Sequence, residues 1–577
     1  MDRQAGIALL LLLSLTQCLT EDFPRTKVVY TNSGPVRGII KKTVWNSVEY
    51  SAFLGIPYAL PPVKDLRFKP PVPAQPWDEV FDAVQEGSVC PQIDFFHPTY
   101  MGVEDCLYLN VYTTGYGSRT KLKPVMVWIY GGAYSSGYGN SSLYGPDFFL
   151  EEGVVFVSFN YRVGVLGFLS LDHPDALGNA GLKDQNLVLQ WVRDNIAAFG
   201  GNPYQVTIFG ESAGGGSVGF HILSEKSKGL FHRSISMSGT PLCQWAYHTP
   251  DKARENAYYL ATLLGHPAFT KQGLLDYLRT VPAEDLVKVT EKVDANVLPF
   301  RPTVEDPDAA TDGSAFLTEC PISKYNSGDF TRHPMMLGHT RDEALFFLND
   351  FAGDPSKRVQ SLSKWIRQVT YIRGFADSSI AHLLSLNLET VSPSQTKRIL
   401  AVLTDTFFTA PIDLTQKLLS KWNDEYPIYY YRLSYESKYS VHSLVGETVA
   451  GTSHVDDIGN IFNVAELNAP TNPNHPFNVF RQKMVKLWAN FAKYGNPTPR
   501  ASRKEVAFDV NWLDSRESGM ELEINEESIL KTRLVSSVTN AYEQFLMAML
   551  PFESGCKYSF HFPGLPSIPG FLHFGKK

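Results

Sequence analysis

Short, nearly continuous apolar runs alternate along this chain with longer stretches in which apolar residues recur at helical spacing. The runs at residues 108–113, 125–129, 154–160, 206–209, 234–238, 335–337 and 428–432 read as strands, and residues 182–199 and 251–264 read as helices. Strands that are apolar on both faces and separated by helices predict a mostly parallel central sheet covered by helices on both sides, an α/β architecture. Ahead of them, residues 28–40 read as a hairpin with Gly34 and Pro35 at its turn.

Sites in such sheets form beyond the carboxyl ends of the strands. After residues 125–129 come Tyr130, Gly131, Gly132, Ala133 and Tyr134, and after 206–209 comes Ser212. After 335–337 come Gly338, Asp342 and Glu343, and past 428–432 come Gly451 and His454. These groups can meet only if one domain holds them, so residues 21–555 are read as a single catalytic domain despite a length of 577 residues.

Gly210, Glu211, Ser212, Ala213 and Gly214 spell GxSxG where an apolar run meets a small-residue helix start. A serine on a sharp strand-to-helix turn exposes its Oγ beside helix N–H groups. Gly214, Gly216 and Gly219 also fit GxGxxG, the dinucleotide fingerprint. Those glycines begin inside the helix instead of in the turn before it, so close packing explains them and no nucleotide cofactor is expected.

Serine needs a base oriented by a third group. On a GxSxG turn the chain order is serine, acid, histidine. The histidines downstream of Ser212 that this order leaves in play are His333, His339, His382, His442, His454, His475, His561 and His573, and only those after the acid qualify. His454 has the best setting, with Gly451, Thr452 and Ser453 before it and Asp456, Asp457 and Ile458 after it as a helix start. Asp342 and Glu343 compete for the acid, and spacing does not separate them. The backbone N–H groups of Gly132, Ala133 and Ala213 are the candidates for an oxyanion hole, where each donor is worth about 3 kcal/mol.

Composition is that of an ordinary globular protein with extra aromatics, 13% of residues. A formal net charge of −7 without Lys/Arg runs argues against a nucleic-acid partner. Residues 1–20 read as a signal peptide: Arg3, an apolar stretch at 5–15, then Thr16, Cys18 and Thr20. That stretch is too short to span a bilayer, and no later segment suggests a membrane anchor. The expected location is extracellular.

Export permits disulfides. Cys90 and Cys106 enclose a short loop and are the bridge expected, while Cys243 could pair with Cys320, and Cys556 lies in an irregular tail, residues 556–577. Asn140, Ser141 and Ser142 form an N-glycosylation sequon. Asp308, Asp312, Gly313 and Glu319 partly match a calcium loop, but Ala310 breaks it, and no metal is expected.

Taken together the segments resemble the type B carboxylesterases, the cholinesterase-like branch of the α/β-hydrolases. The resemblance rests on Glu104 to Asn110, Trp128 to Gly132, Asn160 to Gly167, Gly210 to Gly214, the Asp342 and Glu343 pair, and Gly451 to His454. It implies an α/β-hydrolase fold, a Ser212, His454 and Glu343 triad, and an oxyanion hole at Gly132, Ala133 and Ala213. It also implies the Cys90 to Cys106 disulfide and a small-molecule ester as substrate. Secreted insect esterases look similar around Gly131 to Tyr134 and His454 to Asp457.

Departures from the family's pattern are informative. Ala133 stands where the family's oxyanion run has its third glycine, and a positive φ there would cost an alanine about 1–2 kcal/mol. Cholinesterases carry a choline-binding tryptophan in the disulfide loop; this loop has none, which argues against acetylcholine. Juvenile hormone esterases usually carry glutamine before the nucleophile, where this chain has Glu211, which counts against juvenile hormone. A non-catalytic, cholinesterase-like adhesion protein would lose a triad member and keep an anchor. This chain keeps all three. Phe300, Phe346 and Phe347 near the motif loops suggest an apolar pocket.

Overall fold

The computed structural model describes residues 23–94, 98–117, 120–267, 269–290, 292–293, 298–310, 312–349, 393–445, 450–499, 510–533 and 535–549. The expected signal peptide and the tail at 556–577, with Cys556, lie outside the described residues, as do His382, His561 and His573.

The strands expected from the apolar runs all form, and with four others they build one sheet of eleven strands. In chain order these are β1 (Ile39–Lys42), β2 (Glu49–Pro57), β3 (Tyr108–Thr113), β4 (Lys123–Ile129), β5 (Val155–Phe159) and β6 (Gly201–Glu211). There follow β7 (Arg233–Met237), β8 (Met335–Thr340), β9 (Ile428–Leu433), β10 (Met520–Ile524) and β11 (Ile529–Thr532). Across the sheet the order is β11-β10-β9-β8-β7-β6-β4-β5-β3-β2-β1. Pairs from β10 through to β5 are parallel, and the outer pairs at both ends are antiparallel. Helices cover both sides. The hairpin expected near the start is real but short, with Val29 opposite Val36 in a separate three-stranded sheet.

β5 and β8 are buried end to end, and β4 and β6 are buried over residues 125–129 and 206–211, which is why these stretches read as apolar runs and not as alternations. Part of the aromatic surplus packs against this sheet. Phe462 packs against Trp128, Phe149, Phe156 and Phe209 at ring separations of 4.7 to 6.1 Å.

Two helices matter for the site. The first, α1 (Ala180–Asn195), continues as a 3-10 turn through Phe199, so the helical reading of 182–199 covers both. The second, α2 (Ala213–Leu223), follows Ser212 directly and is buried at every residue. Its glycines allow that burial. A Cβ on Gly214 would lie 2.0 Å from Ile129 O, one on Gly215 2.6 Å from Met237 O, and one on Gly219 2.2 Å from Pro241 Cδ. The GxGxxG pattern is therefore a packing pattern, with Gly216 facing the Tyr134 hydroxyl at 2.5 Å in the same sense.

Among the described residues no helix is long and apolar enough to cross a membrane.

Candidate active site

Four strand ends converge at the carboxyl edge of the sheet. The turn after β6 forces Ser212 to φ 58° and ψ −122°, a region that costs a non-glycine residue about 1–3 kcal/mol. Glycines on either side make room, since a Cβ on Gly210 would come within 2.5 Å of Ile129 O. Ser212 N–H donates to Met237 O at 2.8 Å, which pins the turn to β7.

Ser212 Oγ lies 2.7 Å from His454 Nε2, and His454 Nδ1 lies 2.6 Å from Glu343 Oε2. Both acid candidates are used, in different ways. Glu343 is fully buried and faces the imidazole, while Asp342 Oδ2 accepts the Thr452 N–H at 3.0 Å and pairs with Arg341 at 2.8 Å. Glu343 Oε1 is occupied by the Ser238 hydroxyl at 2.6 Å and the Thr340 N–H at 2.7 Å, so Oε2 alone is left for the histidine. Asp342 thus holds the histidine loop, and Glu343 holds the ring.

Opposite the serine, the turn after β4 carries Gly132 at φ 107° and Ala133 at φ 59°. The N–H groups of Gly132, Ala133 and Ala213 donate to no protein acceptor among the described residues. Ala213 opens α2, whose N-terminal dipole end favours negative charge. Three free donors beside Ser212 make a setting for an oxyanion.

The remaining sequence candidates fall elsewhere. His333 bonds Ser234 Oγ at 2.7 Å, His339 bonds Thr340 O at 2.8 Å, and His475 caps the helix at Phe477. His442 bonds Asp456. Cys90 and Cys106 are joined in a disulfide. Cys243 is a free, buried thiol, pushed up to about 12 by burial, so the pairing considered with Cys320 does not form. Asn140 is half-buried in a turn.

A pocket opens over Ser212, about 870 Å³ with the open solvent at its mouth included, with Leu143, Tyr144, Phe346, Leu444 and Ile458 among its walls. Of the three phenylalanines singled out in the sequence, Phe346 lines it. Phe347 packs behind, 6.0 Å from Phe408, and Phe300 is buried away from the pocket.

A model of the carboxylesterase family matches residues 25–542. The chain is 34% identical over 517 residues to a juvenile hormone esterase of Tribolium castaneum, covering 85% of this chain and 86% of the relative. It is 35% identical over 521 residues to a carboxylic ester hydrolase of Bombus ignitus, covering 86% and 89%. To an acetylcholinesterase of Bungarus fasciatus it is 33% identical over 500 residues, covering 82% and 79%. The chain belongs to the carboxylesterase family. It is a carboxylic ester hydrolase of the α/β-hydrolase fold.

Several residues of this carboxylesterase's site have surroundings that the sequence pattern did not reveal. Glu211, known from the sequence only as a departure before the nucleophile, is buried, its Oε1 lies 3.3 Å from His454 Nε2, and burial pushes its carboxyl well above the usual range, with the Glu343 charge adding to the shift. Gly131 makes room for it, since a Cβ there would lie 3.0 Å from Glu211 Oε2. Asp457 is fully buried and shifted the same way by burial and then by Glu211. Val455, next to the histidine, sits at φ 68°, a genuine outlier for a β-branched side chain.

Phe408 stands 4.7 Å from the His454 ring, with Phe346 at 5.3 Å on another side. A π turn at Asp405–Thr409 places it there, and Trp245 Nε1 donates to Phe407 O at 3.0 Å. The clue available in the sequence was the ionisable residue inside GxSxG; nothing in the periodicity marked the π turn.

Proposed function

We propose that this carboxylesterase works through an acyl-enzyme formed on Ser212, and the observation that carries the reading is the unbroken hydrogen-bond chain from Ser212 Oγ through His454 to Glu343. Ser212 Oγ attacks the ester carbonyl carbon as its proton passes to His454 Nε2. Glu343 orients the imidazole and stabilises the imidazolium. The carbonyl oxygen, now negative, takes hydrogen bonds from the N–H groups of Gly132, Ala133 and Ala213. Collapse of the tetrahedral intermediate breaks the ester bond, and the alcohol leaves with the proton from Nε2. Water then gives a proton to Nε2, attacks the acyl carbon and releases the acid, returning Ser212.

The substrate is an ester with an apolar acid or alcohol part. The apolar pocket walls support this, because burying a CH₂ against them is worth about 0.8 kcal/mol. Such esters occur among hormones, pheromones, odorants and xenobiotics. One of the relatives is a juvenile hormone esterase, but Glu211 argues against that hormone here. We read the enzyme as secreted, with residues 1–20 removed and a glycan on Asn140. The disulfide between Cys90 and Cys106 supports export.

Ser212→Ala tests the reading. The variant should fold with an unchanged far-ultraviolet spectrum and lose hydrolysis of a panel of p-nitrophenyl and alkyl esters by about 10³-fold or more. Turnover at the native rate would overturn the assignment.

A further inference from the structure

A second imidazole–carboxylate pair lies behind the first. His442 Nδ1 is 2.6 Å from Asp456 Oδ2, and the His442 backbone N–H donates to Asp456 Oδ1 at 3.1 Å. Asp456 Oδ2 also accepts the Ser453 N–H at 2.7 Å, immediately before His454. Both side chains are nearly buried, 10% and 3% exposed.

The pair joins two working parts. His442 sits on the short helix Val441–Val445, which contributes Val441 and Leu444 to the wall of the pocket over Ser212. Asp456 belongs to the histidine loop. On its far side that loop is held to the sheet by Asp342, through the Thr452 N–H, and by Glu343 O, which accepts the His454 N–H at 3.3 Å. The loop is therefore tied to the sheet at one flank and to the pocket wall at the other. That flank is also held by Asn460, which donates to Asp456 O at 3.1 Å, and by the Glu211 carboxyl, which takes the Val455 N–H.

We propose that His442 and Asp456 are positioning residues that couple the Val441 and Leu444 wall to the catalytic histidine. A substrate chain that packs on this wall then presses His454 into register with Ser212, so chain length raises kcat and does not only lower KM. Proton transfer demands that register, since a displacement of about 1 Å at a reacting group costs about a hundredfold in rate. This inference rests on the Ser212, His454 and Glu343 assignment.

The test compares His442→Leu, which removes the donor, with His442→Asn, whose side-chain N–H can take the place of Nδ1–H. Active sites are counted by stoichiometric fluorophosphonate labelling, so loss of folded protein does not enter kcat. Esters are lengthened stepwise on the acid side and on the alcohol side. In the unsubstituted enzyme kcat should rise with length in one series. His442→Leu should lose about tenfold in kcat on the long members and under about threefold on the shortest, with KM of the shortest unchanged. His442→Asn should recover kcat to within about threefold.

Any of three results overturns the proposal: kcat independent of length in the unsubstituted enzyme, a change confined to KM in His442→Leu, or equal losses in the leucine and asparagine variants. Failure of the triad reading is separate, because it shows as retained turnover in Ser212→Ala.

Discussion

Ser238 donates its hydroxyl to Glu343 Oε1 at 2.6 Å, on the carboxylate oxygen that does not face His454. With the Thr340 N–H on the same atom, this fixes the carboxylate plane and leaves Oε2 for the imidazole. Asp342, one residue earlier, spends its carboxylate on Thr452 and Arg341. Glu343→Gln should therefore lower kcat by about 10³–10⁴-fold, because an amide donor there favours the wrong tautomer. Asp342→Asn should lose under about tenfold and lower the melting temperature instead. Rates per labelled active site decide between them, and equal losses would return the acid assignment to the open state in which spacing left it.

Ala133 tests what the turn after β4 costs. At φ 59° its Cβ opposes the left-handed conformation, which glycine takes freely. Ala133→Gly relieves about 1–2 kcal/mol of strain, partly offset by about 0.4–1 kcal/mol of added unfolded-state freedom. The expected outcome is a slightly higher melting temperature together with a larger rate gain on bulky acyl esters than on acetates, since Ala133 lines the pocket. A variant that melts lower, or that slows on bulky esters, would contradict this account of the turn.

How legible all of this was depends on whether a feature repeats or is made once. The central strands were readable because burial on both faces turns each into an apolar run, and β5, β7 and β8 are buried along nearly their whole length. The strand β2 (Glu49–Pro57), buried from Tyr50 to Ile56, escaped because Gly55 and Pro57 break its pattern. Ser212, Glu343 and His454 could be named because each follows a strand that must end at one edge of the sheet. Asp342 and Glu343 could not be told apart by residue type alone, since which way each side chain turns is decided by Ser238 and Thr452, distant in sequence. Phe408 reaches His454 through one π turn, a departure from 3.6 periodicity that leaves no trace in hydrophobic pattern.

His221 predicts acid sensitivity away from the site. Its ring is fully buried between Ser227 Oγ at 2.7 Å and Gln185 Oε1 at 3.0 Å, and burial lowers its pKa from 6.5 to about 3. The unfolded chain binds this proton from 6.5 downward while the folded chain refuses it, so stability falls as pH drops below 6.5. His333, also lowered to about 3 by burial, adds to the same slope. Thermal melts from pH 7 to 4 should show a falling midpoint, and His221→Gln should flatten the slope whatever it does to the midpoint at pH 7. An unchanged slope would mean that the buried ring accepts its proton in the folded state.

Glu211 predicts the opposite sign. Its carboxyl is raised by burial first and by the Glu343 charge second, while the Val455 N–H lowers it and the Asp456 charge adds a smaller increase. A carboxyl that stays protonated in the folded state while it ionises in the unfolded chain loses stability as pH rises above 4.5, its ordinary value. Glu211→Gln keeps the shape and removes the ionisation. Its melting temperature relative to the unsubstituted enzyme should thus rise from pH 4.5 upward and change little below. Activity should follow the same logic. A neutral carboxyl with Oε1 3.3 Å from His454 Nε2 offers an imidazolium an acceptor dipole and no charge, which the glutamine amide also offers, so kcat/KM at pH 7 should stay within about threefold. Unchanged stability from pH 4.5 upward, or a loss of about tenfold or more in rate, would mean that Glu211 is ionised in the folded enzyme.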